Sequence, residues 1–251
     1  MNDVHLRVIG IGPGGPRQIT LEAVDAIAAT DLFLFLDKGD RTSILTDVRR
    51  QMLDAHARPG HTVVEVPDPP RDRNPDDYEA EVRRWHAARV AAIDAALTEH
   101  LPDGGTAAFL VWGDPALYDS TLRITDALAD LRELTVEVIP GVTSASALTA
   151  AHGIVAHRVG EPIFTTTGRR LAQTPPGADL NQIVMLDSSL AFRETADPDD
   201  HVYWGAYLGT EHQITVSGRV GDVADEIAAV RAQARERLGW IMDIYLLRKG
   251  S

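Results

Sequence analysis

The run from Val8 to Thr20, V-I-G-I-G-P-G-G-P-R-Q-I-T, follows an alternating apolar stretch (Val4, Leu6, Val8, then Ile9) that predicts a first β-strand. It packs four glycines and two prolines into the seven positions 10–16. Such a run forces a sharp turn at the strand end and lets another backbone or a ligand approach the main chain closely. Gly10, Gly12 and Gly15 satisfy G-x-G-x-x-G, the dinucleotide fingerprint. That fingerprint works only when the loop runs straight into a helix whose first N–H groups hold a pyrophosphate. Pro13 and Pro16 remove local donors, and the next helical pattern begins only near Thr20. The loop therefore suits a ligand held by shape and carbonyl groups rather than by its phosphates.

Size and composition narrow the class. At 251 residues, 44% hydrophobic and 24% charged, the chain can bury a substantial core as one large domain or two small ones. A net charge of −13 argues against a general nucleic-acid binder. The absence of cysteine excludes disulfides, thiolate chemistry and cysteine-based zinc sites. The nine histidines include no H-E-x-x-H, so no metal site is expected, and His152 reads as a helix-end residue. With no signal-like N-terminus and no apolar run able to span a bilayer, the expectation is a cytoplasmic α/β protein without a membrane partner.

Along the chain, Leu21, Val24, Ile27 and Ala28 have helical spacing, and Leu32–Leu36 reads as a strand buried on both faces of a parallel sheet, ending at Asp37. A helix capped by Ser43 and a third strand at Thr62–Val66 come next, then a charged, proline-rich surface excursion over Pro67–Asp77. Tyr78 to Leu97 marks a long amphipathic helix, and Thr106–Trp112 a fourth strand broken by Gly113-Asp114-Pro115. A helix around Leu122–Leu131, a strand over Thr135–Ile139 and a Pro140-Gly141 turn lead to an alanine-rich helix capped by Thr143 or Ser144. Beyond it, strands are expected at Ile163–Thr167, Ile183–Leu186, Val202–Leu208, Ile214–Ser217 and Trp240–Leu247, with one helix at about Val223–Leu238. The predicted architecture is two α/β domains, residues 1–112 and 121–251, connected by residues 113–120.

Three separated segments carry a resemblance: G-I-G-P-G-G-P-R-Q-I-T (Gly10–Thr20), W-G-D-P-A-L-Y (Trp112–Tyr118) and P-G-V-T-S-A-S-A (Pro140–Ala147). Their order and spacing, with V-S-G-R-V-G-D-V (Val216–Val223), resemble the tetrapyrrole (corrin and precorrin) methylases, which use S-adenosyl-L-methionine. The resemblance implies a cofactor bound in folded shape in the cleft between two α/β domains, largely by main-chain groups. Carried over residue by residue, the cofactor contacts are Pro13, Gly113, Asp114, Leu117, Thr143, Ser144, Leu186 and Gly218. Trp112 departs from the pattern, since many relatives place a further glycine there. The D-K-G at Asp37–Gly39, the insert before Trp85 and Y-W-G-A-Y-L-G-T (Tyr203–Thr210) resemble the deacetylating branch of the family. That branch methylates C-1 of precorrin-5 and releases the acetyl group there as acetate, and the resemblance also implies a homodimer.

Methyl transfer to an electron-rich macrocycle depends mostly on alignment. Deacetylation needs a group that orients water and a donor for the developing oxyanion. Asp37 is the first candidate for water, the alternative being a surface acid paired with Lys38. Tyr118 is a candidate donor, with core packing as its alternative, and Asp187 either joins the site or caps the turn after its strand. Precorrin carries many carboxylates, which points to Lys38, Arg41, Arg169 and Arg170 as substrate contacts. Two other readings stay open: a methylase of the same fold with a different acceptor, and an NAD-dependent oxidoreductase using Gly10, Gly12 and Gly15 with Asp37 on the ribose.

Overall fold

The computed structural model describes residues 3–37, 43–70, 72, 75–174 and 181–250. The chain divides into two compact units, residues 1–12 with 16–142, and residues 13–15 with 143–251.

The first unit alternates strand and helix: β1 (Val4–Gly10), α1 (Leu21–Ala28), β2 (Leu32–Asp37), α2 (Ser43–His56), β3 (Thr62–Pro67), α3 (Tyr78–His100), β4 (Gly105–Val111), α4 (Thr121–Ala129) and β5 (Leu134–Ile139). Its sheet has the order β3-β2-β4-β1-β5, and every pair is parallel. All the carboxyl ends therefore share one edge, where open α/β sheets keep their ligands. Both faces are covered, as the unbroken apolar run of β2 predicts. Phe33 and Phe35 join Ile9, Ala108 and Leu110 under α1 and α2. Leu32 and Leu34 join Leu6, Val8, Ala107 and Phe109 under α3 and α4. Thr20 caps α1 by accepting from the Ala23 N–H at 3.1 Å, and Asp77 caps α3 through the Ala80 N–H at 2.9 Å.

The ladders are not equally long. The β2–β3 ladder continues to Asp37–Pro67 and the β1–β4 ladder to Gly10–Val111, but β2 and β4 pair only at Leu32–Ala107 and Phe33–Ala108. The chain leaves β2 through α2, on one face, and leaves β4 through α4, on the other. The sheet thus parts between two strands whose connections run in opposite directions, the topological switch point of a doubly wound sheet.

In the second unit, α5 (Ser144–His152), β6 (Phe164–Thr167), α6 (Gly168–Leu171), β7 (Asn181–Met185), α7 (Phe192–Thr195), β8 (His201–Ala206), β9 (Ile214–Arg219), α8 (Val220–Leu238) and β10 (Asp243–Arg248) follow. The sheet order is β6-β7-β10-β8-β9; β6 and β7 are parallel and the other pairs antiparallel. Ala147 and Leu148 of α5 pack on Ile183, Ile244 and Leu246.

Three features differ from the sequence reading. The units divide at Val142/Thr143 rather than across residues 113–120, because β5 pairs with β1 from Val4 to Ile9 and so keeps α4 and β5 in the first sheet. The strand expected from Trp240 begins at Asp243, and α8 starts at Val220, three residues before the position expected. The proline-rich excursion is also anchored. Arg89, only 2% exposed, holds Asp68 through two hydrogen bonds of 2.8 and 2.5 Å while its guanidinium lies 3.8 Å from the centre of the Trp85 ring. The Trp85 indole N–H donates to the Pro69 carbonyl at 3.0 Å. Removing one member of a buried pair leaves an uncompensated charge, so Arg89→Met is expected to lower stability by about 3 kcal/mol, read from urea unfolding. A loss well under about 1 kcal/mol would mean that Asp68 escapes to water.

Candidate functional site

At the carboxyl edge of the first sheet, the ends of β1, β4 and β5 meet backbone to backbone. A Cβ placed on Gly141 would lie 2.0 Å from the Gly113 carbonyl oxygen and 2.9 Å from Gly10 Cα, and one on Gly10 would lie 2.6 Å from the Gly141 nitrogen. Only glycine fits at these positions. Gly12 and Gly113 exchange hydrogen bonds of 3.1 and 2.8 Å, both with left-handed backbone. Asp114 closes the junction: one carboxylate oxygen accepts from the Gly141 N–H at 2.9 Å, the other from the Ala116 N–H at 2.8 Å. Three motifs far apart in the chain thus become one structure.

The junction uses its own amides. The N–H groups of Gly12, Gly113, Ala116 and Gly141 all have partners within it, and α1 begins only at Leu21. These amides are turned to one another, and the glycine loop does not run directly into α1, so the glycine fingerprint lacks the helix start that would make it a dinucleotide site.

Of the other residues singled out from the sequence, Leu117 donates its N–H to the Asp114 carbonyl at 3.2 Å, inside the same turn. Tyr118 follows with φ 52° and is 46% exposed. Core packing is therefore not its role, and a bulky residue held at positive φ marks a turn fixed by its surroundings. Trp112 is half-buried against the core under α1 and α2. Pro13 is buried and follows Gly12. Asp37 closes β2, but its side chain, Lys38 and Arg41 lie outside the described residues.

In the second unit, Thr143 caps α5 by accepting from the Ser146 N–H at 3.1 Å, which resolves the choice between Thr143 and Ser144; Ser144 is the first residue of the helix. His152 ends that helix and meets the Trp204 carbonyl at 3.0 Å. Arg169 and Arg170 are exposed on α6. Leu186, just past β7, is 64% exposed with φ 53°. Gly218 lies on β9, with β10 and β8 between it and β7, and a Cβ placed on it would lie 2.7 Å from the Val223 side chain. The structure thus gathers Gly113, Asp114 and Leu117 with Gly10, Gly12 and Gly141, but does not set Gly218 beside Leu186.

Asp187 proves to be a turn cap. It is 6% exposed and accepts from the Ser189 N–H (2.9 Å), the Ala191 N–H (2.7 Å) and the Tyr245 hydroxyl (2.6 Å). Burial pushes its pKa up, but the Tyr245 hydroxyl and the two N–H groups outweigh that and leave it below its ordinary 3.8. The same contact and burial push the Tyr245 hydroxyl up. These bonds fix the turn that begins with strained Leu186. Sequence reading noticed Asp187 without its partner, because Tyr245 lies on a distant strand.

Among the described residues no group of three or more His, Asp or Glu side chains could hold a metal ion, and no helix is long and apolar enough to cross a membrane.

Two outcomes are expected from this geometry. Gly141→Ala drives a Cβ into fixed backbone and should cost about 3 kcal/mol or more in urea unfolding, against about 1 kcal/mol for Gly60→Ala, which has positive φ but open space. Equal losses would mean that the strand ends can separate freely. Because the folded pKa of Asp187 is depressed, its contribution is fully present above pH 3.8 and is lost as pH falls through the folded value. The urea midpoint of the native protein should therefore fall more steeply below pH 3.8 than that of Tyr245→Phe, which should be the less stable of the two at neutral pH; parallel curves would contradict this.

Comparison with known proteins identifies the family. The model of the tetrapyrrole (corrin/porphyrin) methylases matches residues 5–224. The precorrin-6A synthase [deacetylating] of Sinorhizobium sp is 44% identical over 247 residues, covering 97% of this chain and 95% of that one. A crystal structure from Corynebacterium diphtheriae, described as a cobalamin synthesis related protein (CobF), matches with a TM-score of 0.87 at 41% identity, over 99% of this chain and 100% of the other. The uroporphyrin-III C-methyltransferase of Thermus thermophilus, solved in complex with S-adenosyl homocysteine, shares the fold with a TM-score of 0.56 at 21% identity, over 88% and 86% of the two chains. This chain belongs to the tetrapyrrole (corrin/porphyrin) methylase family.

Proposed function

We propose that this methylase transfers a methyl group to C-1 of precorrin-5 and releases the acetyl group there as acetate, giving precorrin-6A. The observation that carries the reading is the 44% identity, over nearly the whole length of both chains, to a relative named for that deacetylating synthesis. S-adenosyl-L-methionine supplies the electrophilic methyl group. A junction whose amides are internally satisfied fits a cofactor that brings no phosphate to be held. Gly113, Asp114 and Leu117 in the first unit, and Pro13, Thr143, Ser144 and Leu186 in the second, are the proposed cofactor contacts. Gly218 joins them by family resemblance alone, since Val223 occupies the space beside it. Aligning the donor methyl with the ring carbon provides most of the acceleration, and rigid main-chain turns suit that task.

Deacetylation adds water to a ketone carbonyl while the ring system takes up the departing electron pair. Tyr118 is proposed to donate to the developing oxyanion and Asp37 to orient the water. Lys38, Arg41, Arg169 and Arg170 are proposed to meet substrate carboxylates. The enzyme is proposed to work in the cytoplasm as a homodimer.

The decisive test is incubation with precorrin-5 and methyl-labelled cofactor. Label in the product with free acetate is the expected result, and methylated product without acetate would remove the deacetylating assignment. Calorimetry should show binding of S-adenosylhomocysteine and none of NAD. Asp114→Ala leaves the Gly141 N–H without its acceptor and should weaken S-adenosylhomocysteine about tenfold or more; unchanged affinity would detach Asp114 from the cofactor site.

A further inference from the structure

We propose that Arg49 binds a carboxylate side chain of the tetrapyrrole substrate, in the crevice where β2 and β4 part at their carboxyl ends. The proposal rests on the precorrin reading above and assigns to it a residue that the sequence motifs do not mark.

The crevice follows from the ladders. β2 and β4 are paired at Phe33–Ala108 but not beyond, although β4 continues to Val111 and β2 to Asp37. The Val111 carbonyl turns toward β1 and accepts from the Ile11 N–H at 2.9 Å. By alternation the Leu110 carbonyl faces the β2 side, where no strand partner reaches it. Arg49, on α2, fills that place: its Nε donates to the Leu110 carbonyl at 2.9 Å, and its guanidinium carbon stands 6.0 Å from the centre of the Phe35 ring.

Among the described residues Arg49 shares with Arg248, which donates to the Val155 carbonyl in the second unit, the combination of partial burial and no carboxylate partner, but only Arg49 stands at the carboxyl edge of the first sheet. Arg7, Arg89, Arg132 and Arg231 each meet a carboxylate, at 2.8, 2.5, 3.2 and 2.8 Å respectively. Arg49 is half-buried and among the described residues pairs with no carboxylate; its one hydrogen bond uses Nε and leaves the terminal nitrogens of the fork unused. Burial depresses its pKa below the usual arginine value, and the field of Asp119 offsets that only in part. Desolvating a guanidinium without an anion is costly, and a carboxylate accepted bidentately by the fork would remove that cost. The crevice lies on the same sheet edge as the glycine junction, and β4 forms one wall of it while the turn leaving β4 contributes Gly113 to the junction. A carboxylate arm held there belongs to a molecule whose ring lies along that edge. Neither the cofactor nor a phosphate is needed to explain the site.

The test compares Arg49→Met, which keeps the length and loses the charge, with Arg49→Lys. Calorimetry with S-adenosylhomocysteine, steady-state kinetics with precorrin-5 and fluorescence titration with uroporphyrin III, a polycarboxylate tetrapyrrole, are run on both and on the native protein. Arg49→Met is expected to raise the KM for precorrin-5 about tenfold and weaken uroporphyrin III similarly, with kcat and S-adenosylhomocysteine affinity within about twofold. Arg49→Lys should recover part of the loss, because a point charge replaces the fork. Native-like KM in Arg49→Met would overturn the proposal, as would a joint fall in KM performance, cofactor affinity and thermal stability in both variants, which would mark a purely structural role. Failure of the native protein to turn over precorrin-5 would instead overturn the functional reading, and this inference with it.

Discussion

At Gly10 and Gly141 the main chains leaving the first sheet lie so close to one another and to the Gly113 carbonyl that no side chain larger than hydrogen fits. Three parallel strands are brought so near at their carboxyl ends that the turns leaving them share hydrogen bonds, and the Asp114 carboxylate accepts from the Gly141 amide across the junction. A core packed against both faces of the sheet holds the strands rigidly enough for this contact to persist. The position of Leu117 and of the left-handed Tyr118 follows from the same turn.

A comparable device operates in the second unit with different chemistry. There the strand β7 ends in an exposed leucine with positive φ, and the turn is held by a buried carboxylate instead of packed glycines. Asp187 gathers two backbone amides and a tyrosine hydroxyl, and its side chain occupies the space that a Cβ on Gly168 would need, at 2.3 Å from the carboxylate carbon. Arg231 donates to the Asp187 carbonyl at 2.9 Å and pairs with Asp243, which also accepts from the Trp204 indole. A fully partnered polar cluster of this kind specifies one geometry, because any shift strands a buried donor or acceptor.

Two arginines of the first unit, Arg89 and Arg49, do different work. Arg89 and Asp68 satisfy one another and fasten a proline-rich segment to α3. Among the described residues Arg49 has a hydrogen bond to a carbonyl, supplied by a strand whose neighbour has diverged, and no carboxylate. A neutralised pair has little left to offer a ligand; a half-satisfied cation at a sheet opening does.

Much of this was legible in the chain itself. Alternation and apolar runs locate the strands of both units, the prolines exclude the phosphate loop, and the spacing of three glycine-containing segments points to the family. Those signals are local, and each depends on a handful of neighbouring residues. What only the tertiary structure decided is which distant residues meet: that Asp114 accepts from Gly141, that Tyr245 answers Asp187, and that β5 belongs with β1, moving the division between units to Val142/Thr143. Arg49 belongs to none of the sequence motifs, and becomes distinctive only once the β2–β4 ladder is seen to stop. Strand register and order are set by the packing of the whole sheet, which no window of sequence contains.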